Sequence, residues 1–491
     1  MSNTTPLSLP SLHHACASLN PAHYAEVFAQ PLNNPDLVLH NSGLADELAL
    51  HPALFADITG RQLFNGGAAQ PAAPQIAYVY SGHQFGIWAG QLGDGRALSL
   101  GRLNTRDGSS LELQLKGAGP TPFSRNGDGR AVLRSSLREY LCSEAMHALG
   151  VPTTRALCLY GSEQLVMREM PEKSAVLTRV APHFFRFGQF EHWYYQGHYQ
   201  ELRELADHCL ANYFIDCQQQ PFPYLAMLKR ICELTGKLIA TWQAYGFMHG
   251  VMNTDNMSIS GLTLDYGPFG FMDHFDPAHI CNHSDHQGRY AFRAQPAIGD
   301  WNCHALAQCF TALHENEADI RQAVAAYQHS FVSHYRSLLG GKFGLNLQDG
   351  DDDLLEGFFQ LLAKDQADYT LSFRALSHVQ TQASLQDEKL LGLFKSQTDL
   401  QDWLIAYQSR LQHESSHQEF RLTSRLQRNP KYVLRNYLAE TAIQLAQAGD
   451  YREAQRLNLA LQNPFDEQSE FDAYAASPPA WASSLCVSCS S

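Results

Sequence analysis

The segment HGVMNTDNMSISGLTLDYG, residues 249–267, brings His249, Asn253, Asp255, Asn256 and Asp265 together with no lysine or arginine among them. Carboxylates crowded in this way repel unless something positive sits between them. Asn and Asp oxygens suit Mg²⁺ or Mn²⁺ better than zinc. In phosphoryl and nucleotidyl transfer, one Asp takes or positions the proton of the acceptor hydroxyl. An Asn and a second Asp then hold the ions that neutralise the phosphates. LTLDYG reads as a short strand ending in Asp265. A solvated polar loop is the plain alternative for the whole stretch.

Other residues suited to phosphate lie upstream. In LELQLK the leucines alternate with Glu112, Gln114 and Lys116, a strand pattern that puts Lys116 opposite the leucine face. The following helical stretch carries Glu139, and a strand lysine paired with a helix glutamate is how kinases fix a phosphate-holding lysine. Gly93, Gly95 and Arg96 end a glycine-rich stretch that reads equally as a hairpin turn or as backbone open to phosphate oxygens. A second GDG places Asp128 and Gly129 just before that helix, where N–H groups and the helix dipole favour an anion. Arg179 and Arg186, set among aromatics, are either snorkelling or aimed at an anion. A rival site lies in DHFDPAHICNHSDHQGRY, residues 273–290, whose His, Cys281 and Asp suggest zinc or iron; its spacing matches no familiar zinc pattern.

The elements that must position these residues follow from periodicity. Residues 1–70 read as short helices and turns. From 76, IAYVY, the glycine-rich stretch and LELQLK read as consecutive strands. Leu133, Leu137 and Leu141 predict a helix over 131–150, stopped by Gly150 and Pro152, and RALCLYGSEQLVMREM predicts a hairpin around Gly161. From about 200 the chain is helical, with YLAMLKRICELTGKLIATWQAYG and KYVLRNYLAETAIQLAQAGD (431–450) as clear cases. Five segments result: 1–70; a strand-rich lobe, 71–190; a helical lobe carrying the Asp/Asn loop, 191–345; a helical extension, 346–470; and a flexible tail, 471–491. The fold class is α+β, and a cleft between the two lobes is the expected ligand site.

Composition narrows the functions. The net charge of -14 over 491 residues argues against nucleic acid as the main partner. No basic region followed by an apolar run opens the chain, and no stretch suits a bilayer span, so a cytoplasmic protein without a membrane partner is expected. Eleven cysteines without framework spacing suit reduced, buried thiols. The terminal CVSCSS, with Cys486 and Cys489 in a CxxC, carries a redox reading beside an inert one.

Over roughly 40–491, YSGHQFGIWAGQLGDGRA, ELQLKGAGPTPFSRNGDGRAVLRSSLREYL, HGVMNTDNMSISGLTLDYGPFGFMD, NPKYVLRNYLAE and the terminal CSS resemble the selenoprotein O family of kinase-like protein adenylyltransferases. The resemblance implies a protein-kinase-like two-lobed fold holding ATP in a flipped orientation, with AMP passed to protein Ser, Thr or Tyr hydroxyls and pyrophosphate released. UMP transfer from UTP with Mn²⁺ is the variant attributed to bacterial members. It implies nucleotide contacts from Gly93, Gly95, Arg96, Lys116, Asp128, Gly129, Arg179, Arg186 and Asp265, with Glu139 as the ion-pair partner of Lys116. Asp255 would be the proton acceptor, and Asn256 and Asp265 the ligands of Mg²⁺ or Mn²⁺. Cys489 stands where eukaryotic members carry selenocysteine, and the resemblance implies a disulfide to Cys281; closure onto Cys486 is the other pairing open to it. A γ-phosphate kinase and a nucleotide-binding pseudokinase scaffold are the alternatives. Nothing demands an oligomer, so a monomer is expected.

Overall fold

The computed structural model describes residues 10–67, 74–382, 384, 387–414 and 418–487. Its first part is built on one antiparallel sheet. The strands are β1 (Tyr24–Val27), β2 (Asp36–His40), β3 (Gln75–Tyr78), β6 (Ala97–Asn104), β7 (Ser110–Lys116), β8 (Ala131–Val132), β9 (Arg155–Met167) and β10 (Pro171–Ala181), in the order β1-β3-β6-β7-β10-β9-β2 with β8 against β10. A separate ribbon pairs β4 (Ser81–Gln84) with β5 (Ile87–Gln91). Residues 1–70 were expected to hold only helices and turns. Instead β1 and β2 come from there and take the two ends of the sheet, where their short, half-exposed sequences lack a run of alternating residues.

The expected hairpin around Gly161 is also corrected. β9 runs through Gly161 to Met167, and the turn falls at 168–170. Gly161 sits mid-strand because a Cβ there would meet Val38 Cγ2 at 3.2 Å and Leu133 Cδ1 at 3.5 Å. The helix Leu133–Ala148 crosses the sheet at this point, with Leu133, Leu137, Leu141 and Met146 fully buried.

The remainder is helical. Pro223–Tyr245 packs along Glu317–Phe343, and further helices follow from Asp352–Asp365 to Arg452–Gln462. The last long helix predicted at 431–450 begins only at Asn436. Before it, the buried Arg435 bonds Asp273 at 2.6 Å and Asp368 at 3.0 Å, which holds residues 431–435 out of helix. Among the described residues no helix is long and apolar enough to cross a membrane. The tail is not wholly flexible as expected. Ser469–Ala475 and Ala480–Ser484 are 3-10 helices, Phe471 and Val487 are buried, and His283 N–H donates to Val487 O at 2.9 Å.

The Asp/Asn loop is closed at its base by a second ribbon, β11 (Phe247–Met248) against β12 (Gly270–Phe271). Within it Thr254–Asn256 forms one 3-10 turn. LTLDYG is not a strand: Thr263 alone makes bridges, to Thr153 and Met257.

Candidate active site

Lys116 ends a central strand and lies between Ala97 of β6 and Leu177 of β10. Its Nζ donates to Glu139 Oε2 at 2.5 Å and to Asp265. Arg179, in register with Gln114 one strand over, sends its guanidinium to Glu139 Oε1 at 3.0 Å, to Asp265 Oδ1 at 3.3 Å and to Gln114. Glu139 is therefore a buried carboxylate that fixes two cations at once. Arg186 precedes the helix Phe187–Tyr195, donates to Asp255 O at 2.9 Å and lies 4.8 Å from the Tyr80 ring centroid.

The two aspartates of the loop differ. Burial pushes the Asp255 carboxyl up to about 6, against the opposing pull of Arg186 and of the Gln84 amide. Its Oδ2 accepts from Gln84 Nε2 at 3.3 Å, whereas Oδ1 is buried with no hydrogen-bond partner. Burial opposes ionisation of Asp265 too, but Lys116, Arg179 and Arg186 outweigh it and hold that carboxyl well below the usual range. One group is poised to take a proton and the other is committed to its charge. Asn256 Nδ2 donates to Val251 O at 3.0 Å, which leaves Oδ1 as its remaining acceptor.

These groups share one cleft of about 390 Å³, where Gly93, Gly95, Arg96, Lys116, Asp128, Gly129, Arg179, Arg186, Asp255, Asn256 and Asp265 meet. The second GDG does not abut a helix start as expected, because β8 intervenes. Asp128 instead accepts from Arg130 N–H at 2.9 Å and pairs with Arg168 at 2.8 Å, a bond that draws its carboxyl down.

Sequence reasoning missed Arg125, Arg130 and Arg168, which bring the basic side chains lining the cleft to seven against four acidic ones. It also missed Asp94, which is buried inside the first GDG, accepts from Tyr78 N–H and sits 3.6 Å from Arg186; the GDG was its only signal. Gln84 and Glu191 gave no signal at all.

Among the described residues no three or more His, Cys, Asp or Glu gather to hold a metal, in 273–290 or elsewhere. That segment is structural: Asp285 accepts from Arg289 and Tyr290 N–H, and the Tyr290 hydroxyl donates to Asn253 Oδ1 at 2.5 Å. Cys281 is buried and its Sγ lies 2.9 Å from Pro268 O. Cys486 is exposed, and Cys489, the other half of the expected pair, lies outside the described residues.

A sequence profile of the family "Protein adenylyltransferase SelO" matches residues 8–462. A protein of Herminiimonas arsenicoxydans named protein nucleotidyltransferase YdiU is 48% identical over 98% of this chain and 97% of its own length. Proteins of the same name from Paraburkholderia xenovorans (49%; 97% and 95% covered) and Dechloromonas aromatica (48%; 99% and 99% covered) are similarly related.

Proposed function

The chain belongs to the protein adenylyltransferase SelO family, and we propose that its cleft is a kinase-like nucleotidyl-transfer site between a strand-rich and a helical lobe. The enzyme is a protein nucleotidyltransferase. It takes a nucleoside triphosphate and moves the monophosphate to a Ser, Thr or Tyr hydroxyl of a protein, with release of pyrophosphate. AMP from ATP is the group that the family description favours; UMP from UTP is the variant to be compared.

The observation that carries this reading is the pairing of an unpartnered Asp255 Oδ1 with a cation cluster fixed by Glu139. Asp255 accepts the proton of the acceptor hydroxyl as its oxygen attacks the α-phosphorus. Lys116, Arg179 and Arg186 offset charge on the phosphates. Asn256 Oδ1 and the Asp265 carboxylate are hard oxygen donors with capacity for Mg²⁺ or Mn²⁺. A bound ion would neutralise phosphate oxygens there and withdraw charge from the leaving pyrophosphate. Asp265 now holds Lys116, so nucleotide binding would release that lysine toward phosphate.

Two labelled ATPs test the reading, one at the α-phosphate and one at the γ-phosphate, with Mg²⁺ or Mn²⁺ and reductant. Label in protein from the α position alone is expected, and Asp265→Ala abolishes it. Label from the γ position makes the protein a kinase, and transfer retained in Asp265→Ala refutes the site.

A further inference from the structure

Asp255 has two sides. The nucleotide cleft meets it at one, and the β4–β5 ribbon, whose residues 81–91 line no part of that cleft, packs against it through Gly82 and Gln84. The ribbon is bound to the base loop at successive residues. His83 N–H donates to Thr254 Oγ1 at 2.7 Å, Gln84 Nε2 to Asp255 Oδ2 at 3.3 Å, and Phe85 N–H to Asn253 Oδ1 at 3.0 Å. A Cβ on Gly82 would stand 3.1 Å from Asp255 Cβ and 3.0 Å from Thr254 Oγ1, so any larger residue would press directly on the base loop. Beneath, the buried Glu191 accepts from both His83 Nδ1, at 2.6 Å, and Thr254 Oγ1, tying ribbon and loop to one anchor.

Phe85 turns the ribbon with φ 51°, a conformation disfavoured for an aromatic residue. Tyr290, at 3.1 Å from Phe85 N, helps to hold it there. The result is an outward shelf: Phe85 is 38% and Ile87 74% exposed. Trp88, the next residue along the strand, points to the opposite face, 4.4 Å from the Tyr195 ring and against its cross-strand partner His83. The disfavoured turn thus sets exposed apolar side chains beside the residue read as the base.

We propose that this shelf seats the acceptor protein: an extended segment lays apolar residues on Phe85 and Ile87 and delivers its hydroxyl to Asp255 Oδ1. Gln84 is a positioning residue that holds Oδ2 and leaves Oδ1 for the hydroxyl. The occupant follows from continuity, since a protein acceptor must reach Asp255 from the side the nucleotide does not fill. The inference rests on the transferase reading with Asp255 as base.

The test uses the full chain, α-labelled ATP and an array of Ser-, Thr- and Tyr-containing peptides with varied neighbours. Ile87→Asp alters an exposed side chain and leaves the fold intact; Phe85→Asn keeps the positive φ and removes the ring. Each is expected to raise KM for peptides with apolar neighbours about tenfold, the value of one buried apolar contact, while kcat and ATP affinity stay within about twofold. Unchanged peptide KM in both variants overturns the inference alone. So does sedimentation showing that Ile87→Asp splits a dimer, which would make the shelf a self-association face. A wild-type protein that transfers no α-label overturns the transferase reading and the inference with it.

Discussion

Glu139→Gln is the sharpest probe of the cleft, because one carboxylate there serves two cations. Oε2 takes Lys116 at 2.5 Å and Oε1 takes Arg179 at 3.0 Å, with all three side chains nearly closed to water. Hydrogen bonds to charged groups contribute about 1.5–3 kcal/mol each. Glutamine keeps one acceptor oxygen, so one such bond is lost and the cluster gains a positive charge. Lys116 then turns wholly to Asp265, the residue that should serve the metal. The combined loss is about 2–3 kcal/mol, or about 30- to 150-fold in kcat/KM. Steady-state transfer from α-labelled ATP reads it directly. A double-mutant cycle with Lys116→Met should give a coupling above about 1 kcal/mol. Transfer within about threefold of wild type, with additive single effects, refutes the claim that Glu139 fixes Lys116 for phosphate.

Three further outcomes follow from the same geometry. Asp255→Asn should bind ATP normally but lose transfer by at least about 100-fold; since the base must be ionised and its carboxyl is raised to about 6, wild-type transfer should rise with pH through about 6 and then level, as a pH–rate profile would show. Chelation with EDTA should stop transfer yet leave the melting temperature of the nucleotide-free protein unchanged, because among the described residues no acidic or thiol cage folds around an ion. Lys342 is buried against Tyr245, Tyr369 and Phe373, and burial lowers its ammonium to about 7. The unfolded chain then holds the extra proton between about 7 and 10.4, so stability should rise with pH across that window by a few kcal/mol; Lys342→Met should erase the slope in urea titrations.

What sequence could reveal depended on distance along the chain. The helix Leu133–Ala148 and the strand ending at Lys116 are local patterns, set by leucine spacing and alternation, and the structure has both. The loop 249–267 was legible as chemistry because its polar residues are close in sequence. Gln84, Glu191 and Asp94 were not, since each takes its meaning from a partner brought by tertiary packing; Gln84 meets Asp255 across 171 positions. Gly161 misled because glycine marks turns more often than it marks a strand crossed closely by a helix. The edge strands β1 and β2 were hidden by their brevity, having four and five residues and only partial burial.

The distribution of charge in the cleft separates capture from chemistry. Lys116, Arg179 and Arg186 lie buried among carboxylates that balance them, whereas Arg96 and Arg125 stand exposed at the rim with Arg168 half-open beside them. On a chain of net charge -14, that rim is a local attractor for a polyanion in an otherwise repelling field. Ionic strength therefore acts on the two steps unequally. Added salt screens the rim and slows arrival of the nucleotide, while the enclosed floor, beyond the reach of mobile ions, turns over at the same pace once loaded.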